Sequence, residues 1–135
     1  MPSQPPEGDP APLDGALPAS ALTGVGERGF SVYLHVPFCA TRCGYCDFNT
    51  YTAAELGSAP GASQRAYLDA VVAELDLATR VLGTAPQVDT IFFGGGTPTL
   101  LAAADLVGLL QAVRERFEFA PGIEVTTEAN PESVD

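Results

Sequence analysis

At 135 residues the chain is long enough for one modest domain with its own core. Six basic residues stand against seventeen acidic ones, a formal net charge of −11. A duplex-binding surface needs clustered Lys and Arg to displace counterions from phosphates, so this balance excludes one and leaves nucleic acid an unexpected partner.

Met1 to about Arg28 form a separate compositional zone, with Pro2, Pro5, Pro6, Pro10, Pro12 and Pro18 among Gly, Ala and acids. It lacks periodicity and large apolar residues, which predicts a disordered or loosely packed leader over 1–28. Leu13, Leu17 and Leu22 remain available to dock on a surface. The ordered domain is expected over 29–135. Its first element is Phe30–Val36, a β-branched and aromatic run that reads as a buried strand stopped by Pro37. A cysteine loop follows, and Thr50–Gly61 reads as loop because of Gly57, Pro60 and Gly61.

A helix is predicted over Gln64–Leu82, with Ser63 as N-cap and Gly83 as its stop. Tyr67, Val71, Leu75, Ala78 and Leu82 fall on one face of it. Val88–Phe93 reads as a second strand, ending in Gly94-Gly95-Gly96-Thr97-Pro98. A second helix is expected from about Ala102 to Phe117, with Leu106, Leu109, Leu110, Val113 and Phe117 inward. Ile123–Glu128 is a third strand, after which Asn130-Pro131-Glu132 carries the signature of a helix start. Strands alternating with helices predict an α/β fold with a parallel sheet and crossover helices. A closed eight-fold barrel needs about 250 residues, so the expectation is the N-terminal part of a larger, partial (β/α) barrel.

In a parallel barrel the carboxyl ends of the strands share one face, where catalytic loops gather. The cysteine loop, the Gly94–Gly96 run and Glu128 each follow or end such a strand, so they are expected to meet. Cys39, Cys43 and Cys46 are the only cysteines, spaced x3 then x2. Three thiolates without a fourth suit a four-iron cluster with one iron open to a small chelating molecule. Other readings of these residues are a zinc site, a disulfide with one leftover thiol, and unliganded buried thiols. His35, the only histidine, lies four residues before Cys39, a poor chelate spacing for zinc. An odd cysteine count suits a reducing, cytoplasmic setting. Arg28, the first basic residue, comes too late for the charged start of a signal peptide, and no apolar run approaches the ~20 residues that span a bilayer.

The glycine run lets backbone groups approach a ligand with no Cβ in the way. No Lys follows it, which excludes a Walker-type phosphate loop. Glu128 reads either as an ordinary exposed acid or as an acceptor for two ribose hydroxyls, while Asn130 reads as a helix cap. Tyr33 and His35 share a face of the first strand, and Tyr45 either lies against an aromatic base or shields the thiolates. Arg42 either offsets thiolate charge or is solvated.

Tyr33-Leu-His-Val-Pro-Phe-Cys39, Cys39-x3-Cys43-x2-Cys46, Gly94-Gly-Gly-Thr-Pro98 and Glu128-Ala-Asn-Pro131 together resemble the radical SAM superfamily. Within it they resemble the group of oxygen-independent coproporphyrinogen III oxidases and HemW heme chaperones. The resemblance implies that Cys39, Cys43 and Cys46 ligate a 4Fe-4S cluster whose open iron is chelated by S-adenosylmethionine (SAM). It implies Tyr33 near the sulfonium, the backbone near Tyr45 at the adenine, Gly95 and Gly96 at the methionine moiety, and Glu128 at the ribose. An electron from the reduced cluster then splits the sulfonium, giving methionine and a 5′-deoxyadenosyl radical.

True oxidases resembling this chain carry a further cysteine two positions after the third, where Phe48 stands here. Cys46-Asp-Phe48 resembles the HemW branch. That branch implies heme, a heme-acceptor protein and an electron donor as partners, with the heme site beyond these residues. The alternative function is an oxygen-independent coproporphyrinogen III oxidase.

Overall fold

The computed structural model describes residues 8, 10, 12–58 and 62–134. Residues 1–7, 9 and 11 of the expected leader, 59–61 of the expected loop, and 135 lie outside them. Among the described residues, a one-turn helix α1 (Ala19–Leu22) interrupts the leader. A Cβ built on Gly15 would come within 3.1 Å of the Leu77 side chain, so the leader passes closely over the long helix that bears Leu77.

Strand β1 (Phe30–Val36) has the bounds the apolar run predicts. After Pro37 come β2 (Phe38–Cys39) and, beyond the cysteine loop, β3 (Tyr51–Thr52), which pair in parallel. Helix α2 (Ala53–Leu56) follows directly. These short elements correct the expectation of plain loop from Thr50 onward. Their cause is local: Thr52 and Glu55 form a reciprocal capping box, with the Thr52 hydroxyl accepting from the Glu55 amide and the Glu55 carboxylate accepting from the Thr52 amide.

Helix α3 (Gln64–Leu82) is capped as expected, the Ser63 hydroxyl accepting from the Ala66 amide at 3.1 Å. Gly83 ends it at φ +70°, a conformation that favours glycine. Strand β4 (Val88–Gly95) runs two residues past the predicted end, into the glycine run. Helix α4 (Ala103–Arg114) is shorter than the apolar pattern suggests. A final turn, with the Phe117 amide donating to the Val113 carbonyl, still delivers Phe117 to the core. Strand β5 (Phe119–Thr127) starts earlier than Ile123. Pro121-Gly122 reads as a break in sequence, but pairing resumes across an irregularity, from Val88↔Phe119 to Thr90↔Glu124. The expected third helix begins as a 3-10 turn, Pro131–Ser133, capped by the Asn130 side chain.

The main sheet has the order β1-β4-β5, all parallel, which is the α/β architecture expected. Leu34, Val36, Ile91 and Phe93 on one face of it form a continuous core with Leu75 of α3, Leu109, Ala112 and Val113 of α4, and Phe117. On the other face Tyr33 pairs in register with Phe92, and Phe92 with Thr126, and both aromatic side chains are exposed. Ile91 is 1% exposed at the centre of the core. Ile91→Val should therefore lower unfolding stability by about 0.5–1.5 kcal/mol, read as an earlier urea midpoint with unchanged slope.

Candidate functional site

The site lies at the carboxyl ends of β1, β4 and β5, and main-chain amides hold those ends together. The Gly96 amide donates to the Val36 carbonyl at 2.8 Å, and the Thr97 amide to the Phe38 carbonyl at 2.7 Å. The Glu128 amide donates to the Phe93 carbonyl at 2.9 Å. Glu128 returns the tie through its side chain, Oε2 accepting from the Gly95 amide at 3.0 Å.

Each glycine of the run has its own steric reason. A Cβ on Gly94 would lie 2.5 Å from the Phe92 ring and 3.0 Å from that of Tyr33. Gly95 has φ +114°, and its Cβ would meet the His35 ring at 2.7 Å. A Cβ on Gly96 would collide with the Phe38 carbonyl oxygen and lie 2.9 Å from Cys39 Sγ. The glycine loop is thus pressed directly onto the start of the cysteine loop.

An open cavity of about 870 Å³ occupies this face, and Cys39, Cys43, Cys46, Gly95, Gly96 and Glu128 all line it. Tyr45 and Phe48 line it as well, both largely exposed. Seven of the eight residues singled out in the sequence therefore share one cavity. The eighth, Tyr33, lines a neighbouring groove between β1 and α3. Its ring stacks on Phe92 at a centroid distance of 6.0 Å, and its hydroxyl lies 2.8 Å from His35 Nδ1. His35 Nε2 is 2.8 Å from the Asn49 carbonyl, which only accepts, so Nε2 carries a proton, and in the neutral ring Nδ1 accepts from the Tyr33 hydroxyl. Both nitrogens of the one histidine are thereby engaged, and neither is free for a metal ion.

The three cysteines are free thiols, Cys43 exposed and the other two half-buried. Among the described residues no three of His, Cys, Asp and Glu converge closely enough to hold a single metal ion. Cys39, Cys43 and Cys46 all line the cavity, and thiols are the donors that a cuboidal iron–sulfur cluster takes. The soft donor set and the Cβ-free wall at Gly96 fit that group.

The Phe48 backbone amide and the Thr50 hydroxyl hold the Cys46 thiol below its ordinary range, with a smaller contribution from Arg42. Burial, and then the Glu128 carboxylate, push the Tyr33 phenol up. Tyr67 donates to the His35 carbonyl at 3.0 Å, and burial, followed by Glu74 and Tyr33, pushes its phenol up to about 12.

Thr50 and Glu55 escaped sequence reasoning. Thr50 is 2% exposed and lies beside Cys46. The signal for Glu55 was present in Thr52-Ala-Ala-Glu55, the capping-box spacing. No helix of the described residues is long and apolar enough to cross a membrane.

Residues 33–135 match the radical SAM superfamily. The chain is 60% identical over 104 residues to a protein of Mycobacterium tuberculosis (strain H37Rv) named heme chaperone HemW, covering 77% of this chain and 26% of that one. It is 39% identical over 105 residues to the heme chaperone HemW of Escherichia coli K12, covering 78% and 26% of the two chains. A solved structure of coproporphyrinogen III oxidase (HemN) from Escherichia coli, described as a radical SAM enzyme, aligns with a TM-score of 0.69 at 31% identity, over 86% of this chain and 25% of that one. The chain spans about a quarter of the length of the curated relatives it matches.

Proposed function

The chain belongs to the radical SAM superfamily, and from that membership we propose that it serves in a heme chaperone of the HemW type, which binds a SAM-chelated 4Fe-4S cluster and passes heme to acceptor proteins. One observation carries the reading: three thiols, the backbone of Gly95 and Gly96, and the Glu128 carboxylate line a single cavity. The 60% identity to a protein named for heme chaperoning supports the branch. So does Phe48 on the cavity wall, where the oxidases carry a further cysteine.

In this reading Cys39, Cys43 and Cys46 would hold the cluster, leaving one iron for SAM to chelate. When bound, the cluster supplies the electron that cleaves a sulfonium carbon–sulfur bond. Gly95 and Gly96 present main-chain groups to the methionine moiety. Glu128 keeps one oxygen on the Gly95 amide and offers the other to the ribose hydroxyls. Tyr33 serves the sulfonium from the adjoining sheet face, and the backbone at Tyr45 meets the adenine. Residues 29–135 are the N-terminal portion of the radical SAM domain, preceded by a leader over 1–28. Heme, its acceptor and the electron donor engage other parts of the protein, in the cytoplasm.

Glu128→Ala should leave cluster content unchanged and weaken SAM binding by about tenfold or more, since it removes acceptors that hydrogen-bond as a charged group. Calorimetric titration of the anaerobically reconstituted intact protein reads this directly, and an unchanged affinity removes the ribose role.

The second reading, a coproporphyrinogen III oxidase, is favoured by the structural alignment with the solved oxidase. Incubating the intact protein with coproporphyrinogen III, SAM and a reductant separates the two. Tight stoichiometric heme binding without turnover is the expected result. Formation of the oxidised porphyrinogen product would overturn the chaperone reading.

A further inference from the structure

Thr50 is the only polar residue buried among the described residues. It stands at the centre of a network that the cofactor reading does not use. Its hydroxyl lies 3.6 Å from Cys46 Sγ, and its carbonyl accepts from Arg42 Nη2 at 2.6 Å. Arg42 Nε donates to Glu55 Oε1 at 3.0 Å. The other Glu55 oxygen accepts from the Thr52 amide at 2.8 Å and the Thr52 hydroxyl at 2.9 Å. The Tyr51 amide donates to the Pro37 carbonyl at 2.7 Å, which fastens β3 beside β2.

A guanidinium placed only to balance thiolate charge would face the cavity. The Arg42 side chain does not line it and turns onto Glu55 and Thr50 instead. The side chains of Arg42 and Glu55 are 40% and 42% exposed, so their ion pair by itself contributes little. Its value lies in where it is fastened. Cys39 is fixed by β2, and Cys46 by its turn amide and by Thr50. Cys43 is exposed, and its side chain makes no hydrogen bond among the described residues. The neighbouring Arg42 therefore supplies the side-chain anchor for the middle of the loop.

We propose that Arg42, Glu55 and Thr50 form a brace, anchored on α2, that fixes Cys43 relative to Cys39 and Cys46 before a cluster is bound. The proposal rests on the cluster reading given above. The three are positioning residues: they order the loop in advance, so that cluster binding does not have to supply that ordering.

The test uses the intact protein with Arg42→Gln, Glu55→Gln and the double substitution. In the metal-free protein, amide hydrogen exchange over residues 40–46 should rise about tenfold in each single variant and no further in the double, with β1, β4 and β5 unchanged. In the reconstituted protein, iron release to a ferrous chelator should accelerate about tenfold in the same non-additive pattern. The cluster's midpoint potential should fall in Arg42→Gln, which removes a positive charge, and rise in Glu55→Gln, which removes a negative one. A role confined to the stability of α2 would move neither loop exchange nor iron release. Variants matching a cluster-bearing wild type, or single effects that add in the double, overturn the proposal alone. A wild type that takes up no four-iron cluster overturns the cluster reading and the brace together.

Discussion

Cys43→Ser should strip the intact protein of its iron, on the order of a tenfold or greater loss after anaerobic reconstitution. A serine hydroxyl is a poor substitute for a thiolate on a soft iron–sulfide cube, and the chain holds only three cysteines, so no spare sulfur can step in. The fold should not notice. Cys43 is exposed and its local hydrogen bond uses the backbone carbonyl, which accepts from the Cys46 amide at 3.0 Å. Stability should therefore stay within about 0.5 kcal/mol of wild type, and the far-ultraviolet circular dichroism should be unchanged. Iron and acid-labile sulfide analysis, beside the broad visible absorption of the cluster, reads the result. Full iron content in the variant would mean that Cys43 is not a ligand.

Gly96→Ala should be nearly as damaging to the cofactor and more damaging to the fold. The new methyl would collide with the Phe38 carbonyl oxygen and come within 2.9 Å of Cys39 Sγ. Backbone atoms cannot swing aside as a flexible side chain can, so the seam between β4 and the cysteine loop has to open. Overpacking of this kind costs about 1–3 kcal/mol. Displacement of Cys39 should add a loss of iron well beyond what the stability change alone would produce. Gly108 in α4 is the internal control, since a Cβ there meets nothing within 4 Å. Gly108→Ala should raise stability by about 0.5–1 kcal/mol and leave iron content alone. Urea unfolding and iron analysis of the two variants side by side separate a general intolerance of glycine replacement from the specific clash at Gly96.

Much of the scaffold was legible because its cues are local. Phe30–Val36 is a β-branched and aromatic run, and Gln64–Leu82 carries an N-cap serine, a periodic face and a stop glycine. Meeting of the cysteine loop, the glycine run and Glu128 followed from strand direction alone, because parallel strands present their carboxyl ends together. What escaped depended on tertiary partners or on very short elements. Two residues at Phe38–Cys39 and two at Tyr51–Thr52 cannot show a period. The early start of β5 lies behind Pro121-Gly122, which in isolation signals a turn. Arg42 could not be assigned a partner from sequence because Glu55 lies thirteen residues away, across the cysteine loop. Tyr33 was grouped with the other site residues by motif, yet stacking on Phe92 and its bond to His35 hold it on the adjoining sheet face.

The rim of the cavity is sewn chiefly by the amides of Gly96, Thr97 and Glu128, each donating to a main-chain carbonyl. Any amino acid other than proline can supply such a stitch. Apart from the three cysteines and Glu128, the residues that ring the opening are therefore at liberty to diversify in shape and charge while the opening itself keeps its dimensions. A protein built this way can acquire a new guest by swapping the side chains at its mouth, provided the three small residues between Phe93 and Thr97 stay bare.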